Sequence, residues 1–102
     1  MLDLQKWCAE HDAVKRTEQA FYTALETYKN EDAEEYNEVF YDKDLPITAV
    51  PDKVYPVFGL SNFDLQHIYV DFYIEYDGKN IGSYRMIYDL DGSEFDDYLV
   101  IE

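Results

Sequence analysis

The sequence carries a single cysteine, Cys8, so it cannot close a disulfide within the chain. That excludes the small secreted domains held together by disulfides. Basic residues are also scarce: 8 lysines and arginines stand against 23 aspartates and glutamates, a formal net charge of -15. A chain of this sign repels nucleic acid and anionic lipid, and no cluster of Lys and Arg offers a phosphate-binding footprint. The four glycines, Gly59, Gly78, Gly82 and Gly92, are too scattered to form a phosphate-cradling loop. Histidines and cysteines are too few for a zinc site, and no cofactor motif is present. The N-terminal stretch from Met1 to Trp7 has neither a basic start nor an apolar run. No signal peptide or transmembrane segment is expected, which makes the cytoplasm the default location.

What the chain does have is aromatic area and acid. Eleven Tyr and six Phe in 102 residues predict a core built around rings. This length suits one domain, residues 1–102, and folding hides about two thirds of the unfolded surface at this size.

Residues 2 to 29 read as helix. Leu4, Trp7, His11, Val14, Phe21, Leu25 and Tyr28 recur at steps of three and four, with Thr17 and Glu18 as the weak step. Cys8 and Ala24 widen the stripe, which makes Cys8 and Trp7 core residues and His11 a partly buried packing residue. Asp12 is placed to cap a second helix, so the stretch is either one long helix or two shorter ones. Asp32 and Glu35 have capping-box spacing, and they predict a short helix over 32–41 with Ala33, Tyr36, Val39 and Phe40 on its apolar side. Two extended segments follow within 45–60. Pro46, Pro51 and Pro56 restrict them to edge strands or irregular chain, and Ser61-Asn62 marks a turn or loop.

The last third carries the sheet signal. Ile68, Val70, Phe72, Ile74 and Tyr76 alternate with His67, Tyr69, Asp71, Tyr73 and Glu75, giving one dry face and one wet face. Asp77-Gly78 marks a turn, and Tyr84, Met86, Tyr88 and Leu90 form the apolar row of the next strand. Keeping both rows on one face requires residue numbers that sum to 156, so that Phe72 faces Tyr84, Val70 faces Met86 and Ile68 faces Tyr88. A three-residue loop, Asp77 to Lys79, would provide that register. After Asp91-Gly92, a strand over 95–101 adds Phe95, Leu99 and Ile101 to the same face, with Asp97 as the discordant member. The fold class is therefore α+β, with N-terminal helix or helices packed on one face of an antiparallel sheet that ends in a three-stranded meander. At the level of outline this resembles the cystatin-like and NTF2-like folds.

The charge is unevenly placed. Residues 30–44 carry a net -6 through Glu31, Asp32, Glu34, Glu35, Glu38, Asp42 and Asp44 against Lys43 alone. Residues 89–102 carry another -6 through Asp89, Asp91, Glu94, Asp96, Asp97 and Glu102, with no base. Tyr36, Tyr41 and Tyr98 lie among these acids, and tyrosine offers contact area and a hydroxyl at low entropic cost. Negative segments dotted with tyrosines predict a surface that attracts a basic protein partner, including one that itself binds nucleic acid. Immunity proteins, nuclease inhibitors and DNA mimics exemplify the class. The plainer reading is a solvated acidic face that aids solubility.

Motifs for chemistry are weak. Asp89-Leu90-Asp91-Gly92 resembles part of a calcium loop. Aligning Gly92 with the obligatory glycine, however, puts Ile87 and Tyr98 at the two end positions, where acids are needed. A Cys8–His11 nucleophile would need an electropositive setting, and this chain has the opposite. His67, Tyr69, Asp71, Tyr73 and Arg85 supply the alternative: a ligand or enzymatic pocket, provided that residues 45–63 enclose that strand face. Arg85 can also simply pair with Asp71 or Glu75 on the neighbouring strand. The third and plainest alternative is a structural component, including a homodimer formed through an edge strand.

Overall fold

The computed structural model describes residues 2–102. Asp3 opens the first helix by accepting the backbone N–H of Lys6 at 3.1 Å, and α1 runs over Leu4–His11. Asp12 then takes a left-handed conformation, φ 51° and ψ 42°, and α2 follows over Ala13–Glu31. The stretch is thus two helices, and the break resets their phase. Val14, expected on the inward stripe, is 44% exposed, while Ala13, Thr17, Phe21 and Leu25 form the buried row. The weak polar step is filled by Thr17 itself. Its hydroxyl donates to the Ala13 carbonyl at 2.7 Å and meets the Tyr88 hydroxyl at 2.9 Å, so a wholly buried polar group keeps its partners.

Asp32 caps α3, Ala33–Val39, by accepting the Glu35 N–H at 3.3 Å. The capping box is only half made, because the Glu35 carboxylate accepts the Tyr28 hydroxyl at 3.0 Å.

Four strands follow: β1 over Thr48–Phe58, β2 over Leu65–Tyr76, β3 over Lys79–Asp89 and β4 over Glu94–Ile101. They lie in the order β1-β2-β3-β4, with antiparallel neighbours. The two extended segments expected within 45–60 are one strand, so the meander has four strands. Pro51 and Pro56 are tolerated because β1 is an edge strand, and its pairing steps between Pro51 and Lys53.

Between β2 and β3, Phe72 faces Tyr84, Val70 faces Met86 and Ile68 faces Tyr88, as the alternation required. The connection itself differs from expectation. It is a two-residue turn in which Asp77 and Gly78 both have positive φ, 53° and 71°. A bulge corrects the parity: Ile74 faces Gly82 while Glu75 faces Asn80, which leaves Ile81 unpaired.

The inner face of the sheet meets the helices. Phe21 packs edge-on to Tyr84 at 5.8 Å, and Trp7 edge-on to Tyr88 at 5.6 Å. The Trp7 indole N–H donates to the Leu90 carbonyl at 2.9 Å. Cys8 is half-buried against this core, and burial raises its thiol pKa. Two expected members of the apolar row leave it. Leu90 lies past the end of β3 and is exposed. Phe95 falls at a second bulge, where Ile87 faces Asp96 and Tyr88 faces Glu94. Its ring stacks on His67 at 4.6 Å, on the outer face of the sheet. Among the described residues, no helix is long and apolar enough to cross a membrane.

Candidate functional site: an acidic groove beside the long helix

Helix α2 lies over β1, β2 and β3. Beside it, above the inner face of β4, runs an open groove of about 1030 Å³. The α2 wall presents Gln19, Ala20, Thr23, Ala24 and Thr27, and the floor is apolar, made of Met86, Leu99 and Ile101. Acids form the rim. Glu31 and Glu35 come from the first acidic segment, and Glu94, Asp96 and Asp97 come from the second. The two segments, far apart in sequence, therefore share this groove.

The one cation among the lining residues is Arg16, and its guanidinium is already committed. It donates to the carbonyls of Gly92 at 2.8 Å and His11 at 3.3 Å, and lies 5.0 Å over the Tyr88 ring. Among the described residues the ion pairs are Lys6–Glu10, Lys53–Asp52, His67–Asp89 and Arg85–Asp71. None involves a groove carboxylate.

Tyrosines take the place of missing bases. Tyr28 donates to Glu35 at 3.0 Å, Tyr84 to Asp97 at 2.6 Å and Tyr98 to Asp96 at 3.1 Å, and Tyr41 donates to Asp77. A neutral hydroxyl can satisfy a carboxylate without cancelling its charge, so the negative field stays intact. Burial and these hydrogen bonds both raise the tyrosine hydroxyls. Burial, followed by the Glu35 hydrogen bond, pushes Tyr28 up to about 12. Tyr84 is raised further, by burial and then by Asp97. Tyr98 is raised chiefly by its hydrogen bond to Asp96.

The remaining sequence-predicted residues lie elsewhere. Asp32 is occupied as the α3 cap, and Glu34 and Glu38 are exposed on α3. Tyr36 is half-buried between Tyr28 and Phe40, at 5.6 and 4.8 Å. Asp42 exchanges backbone hydrogen bonds with the Tyr76 hydroxyl, both 2.8 Å, beside Tyr41 near the β2–β3 turn. At the other end of the sheet, Asp89 lies 3.3 Å from His67. Asp91 is tied to Ser93, and those hydrogen bonds lower its carboxyl pKa. Tyr98 pairs with Arg85 on the outer face, away from the groove. Both segments thus contribute acids to the groove, Glu31 and Glu35 at the far end of α2 and Glu94 and Asp97 along β4, while the Asp96 carboxylate turns toward Tyr98 on the outer side.

The residues of the alternative pocket lie on the outer face. Arg85 grips Asp71 with two bonds, 2.8 and 3.1 Å, and donates to the Tyr55 hydroxyl at 2.7 Å. Its guanidinium also lies 4.8 Å over the Tyr69 ring. Residues 48–58 extend the sheet in its own plane, so they do not fold over this cluster. Sequence reasoning missed the apolar part of the groove. The available signal was the row Ala20, Ala24 and Thr27, which runs beside the buried row of α2.

No known protein family, curated protein or solved structure matches this chain.

Proposed function

We propose that this protein is a non-catalytic binding protein whose acidic groove receives a basic protein partner. One observation carries the reading: Glu31 and Glu35 share a groove with Glu94, Asp96 and Asp97, and the single lining cation is held by backbone carbonyls and a tyrosine ring. Carboxylates that no base compensates give the groove a negative potential, which a cationic partner would neutralise. The apolar floor adds area that gains from burial once the partner is seated.

An inhibitory mode follows from the same chemistry. A carboxylate-lined surface competes with phosphates for the cationic face of a nucleic-acid-binding or nuclease-type protein. The encounter is expected in the cytoplasm, where the chain, with Cys8 as its single cysteine, needs no disulfide.

The test is affinity capture from the native host at low and high salt, using the wild-type chain and the triple variant Glu31→Lys, Glu35→Lys, Glu94→Lys. Basic proteins enriched at low salt, released at high salt and lost with the triple variant would support the reading. Partners that are acidic, or whose yield ignores both salt and the substitutions, would overturn it.

A further inference from the structure

Resting on that reading, we infer that the groove takes one amphipathic α-helix of the basic partner. Its apolar stripe lies on Met86, Leu99 and Ile101, and its lysines or arginines flank the stripe. The first argument is space. Four strands span about 14 Å from β1 to β4, and packed helices sit about 8–10 Å apart. A four-stranded face therefore accommodates two helices side by side, and α2, with α1 at the β1 side, lies over β1 to β3. The groove over β4 is the remaining place.

The second argument is the wall. Ala20, Thr23, Ala24 and Thr27 recur at steps of three and four along α2 and face the groove. Small side chains there let a second helix approach at the short end of the packing distances. The third is charge. Glu94 and Asp97 lie along the β4 side and Glu31 and Glu35 at the far end of α2, so cations flanking an apolar stripe would meet carboxylates.

Two other occupants fit less well. A second copy of this chain brings another charge of -15. An added strand needs the free backbone of β4, but the Asp97 N–H is already taken by the Asp96 carboxylate at 2.8 Å.

The probe is a synthetic peptide of about 18 residues, five turns of helix, with leucines on one face and lysines on both flanks. A scrambled peptide of the same composition is the control. Thr23→Trp, at an exposed position, fills the groove and leaves every rim carboxylate in place. Ala24→Trp is a second block, and thermal unfolding checks that both variants fold. The patterned peptide should gain helical circular dichroism and shift the amide resonances of Ala20–Thr27, Leu99 and Ile101. The scrambled peptide and the two Trp variants should each weaken binding by about tenfold or more. Equal binding of both peptides, unaffected by either Trp variant, overturns the helix inference and leaves the charge-based reading standing. Shifts confined to β4 without helical signal overturn it in favour of strand addition. If neither peptide binds at low salt, the basic-partner reading falls as well.

Discussion

Tyr84 is wholly buried under α2, yet its hydroxyl reaches the surface carboxylate of Asp97, the acid on the inward side of the neighbouring strand, at 2.6 Å. Asp97 looked discordant in an apolar row. It is the acceptor that lets a tyrosine, rather than a phenylalanine, occupy the centre of the sheet.

Burial, and then this hydrogen bond, raises the Tyr84 hydroxyl well above its ordinary 10.0. The folded state thus favours the protonated phenol. Its contribution is complete below pH about 10 and is lost as pH climbs above that value toward the raised folded one. Tyr84→Phe should lower stability at neutral pH by about 1–2 kcal/mol. It should also flatten the alkaline limb of urea-melt stability against pH. An alkaline limb unchanged by the substitution would refute the assignment.

Gly92 has φ +90°, and a Cβ there would lie 2.1 Å from Nδ1 of His11, whose ring in turn packs on Trp7 at 4.8 Å. Gly92→Ala is therefore strained twice, by its backbone and by the contact. It should cost about 2–3 kcal/mol in chemical denaturation. Adding His11→Ala should recover only part of that loss, because the backbone strain remains. Full recovery would mean that the ring contact is the whole effect.

On the outer face, Asp71 is only 8% exposed and is held by the two-pronged grip of Arg85. Arg85→Ala leaves that carboxylate without its cation and should destabilise the fold by about 2–3 kcal/mol. The double variant Arg85→Met, Asp71→Leu should regain most of the loss, since no buried charge is then left alone. Calorimetric midpoints of the three variants decide it: a double variant as weak as Arg85→Ala would show that the cluster does more than neutralise Asp71.

The chain carries a net charge of -15, and the ion pairs among the described residues leave the groove carboxylates uncompensated, so like charges repel one another in the free protein. Raising the sodium chloride concentration should therefore stabilise the free protein by on the order of 1 kcal/mol, roughly 4–8 °C in Tm for a domain of this size. Glu35→Gln should reduce that salt response even though it forfeits the charged acceptor of Tyr28. A Tm that falls with salt would mean that attractive pairs dominate.

Much of the sheet was legible in the sequence, because strand periodicity is local and strict. The alternation from His67 to Tyr76 dictated which side chains share a face, and the need to keep Phe72 opposite Tyr84 dictated the register. The same constraint did not reveal how the parity is met. A three-residue loop and a two-residue turn followed by a bulge at Ile81 satisfy the alternation equally well.

The sequence by itself determined the fold class, the facing rows of β2 and β3, and the two stretches that hold the acid. Tertiary structure alone decided the phase of α2, through the left-handed turn at Asp12 that exposes Val14 and buries Thr17. It also decided that Phe95 leaves the inner row for His67, and that α2 settles over β1 to β3 so that Glu31 and Glu35 share a groove with Glu94, Asp96 and Asp97. The physical reason is range. Periodicity and capping act over a few neighbouring residues, whereas the seat of a helix on a sheet is fixed by ring packing and hydrogen bonds between residues distant in the chain, such as Phe21 with Tyr84 and Trp7 with Leu90.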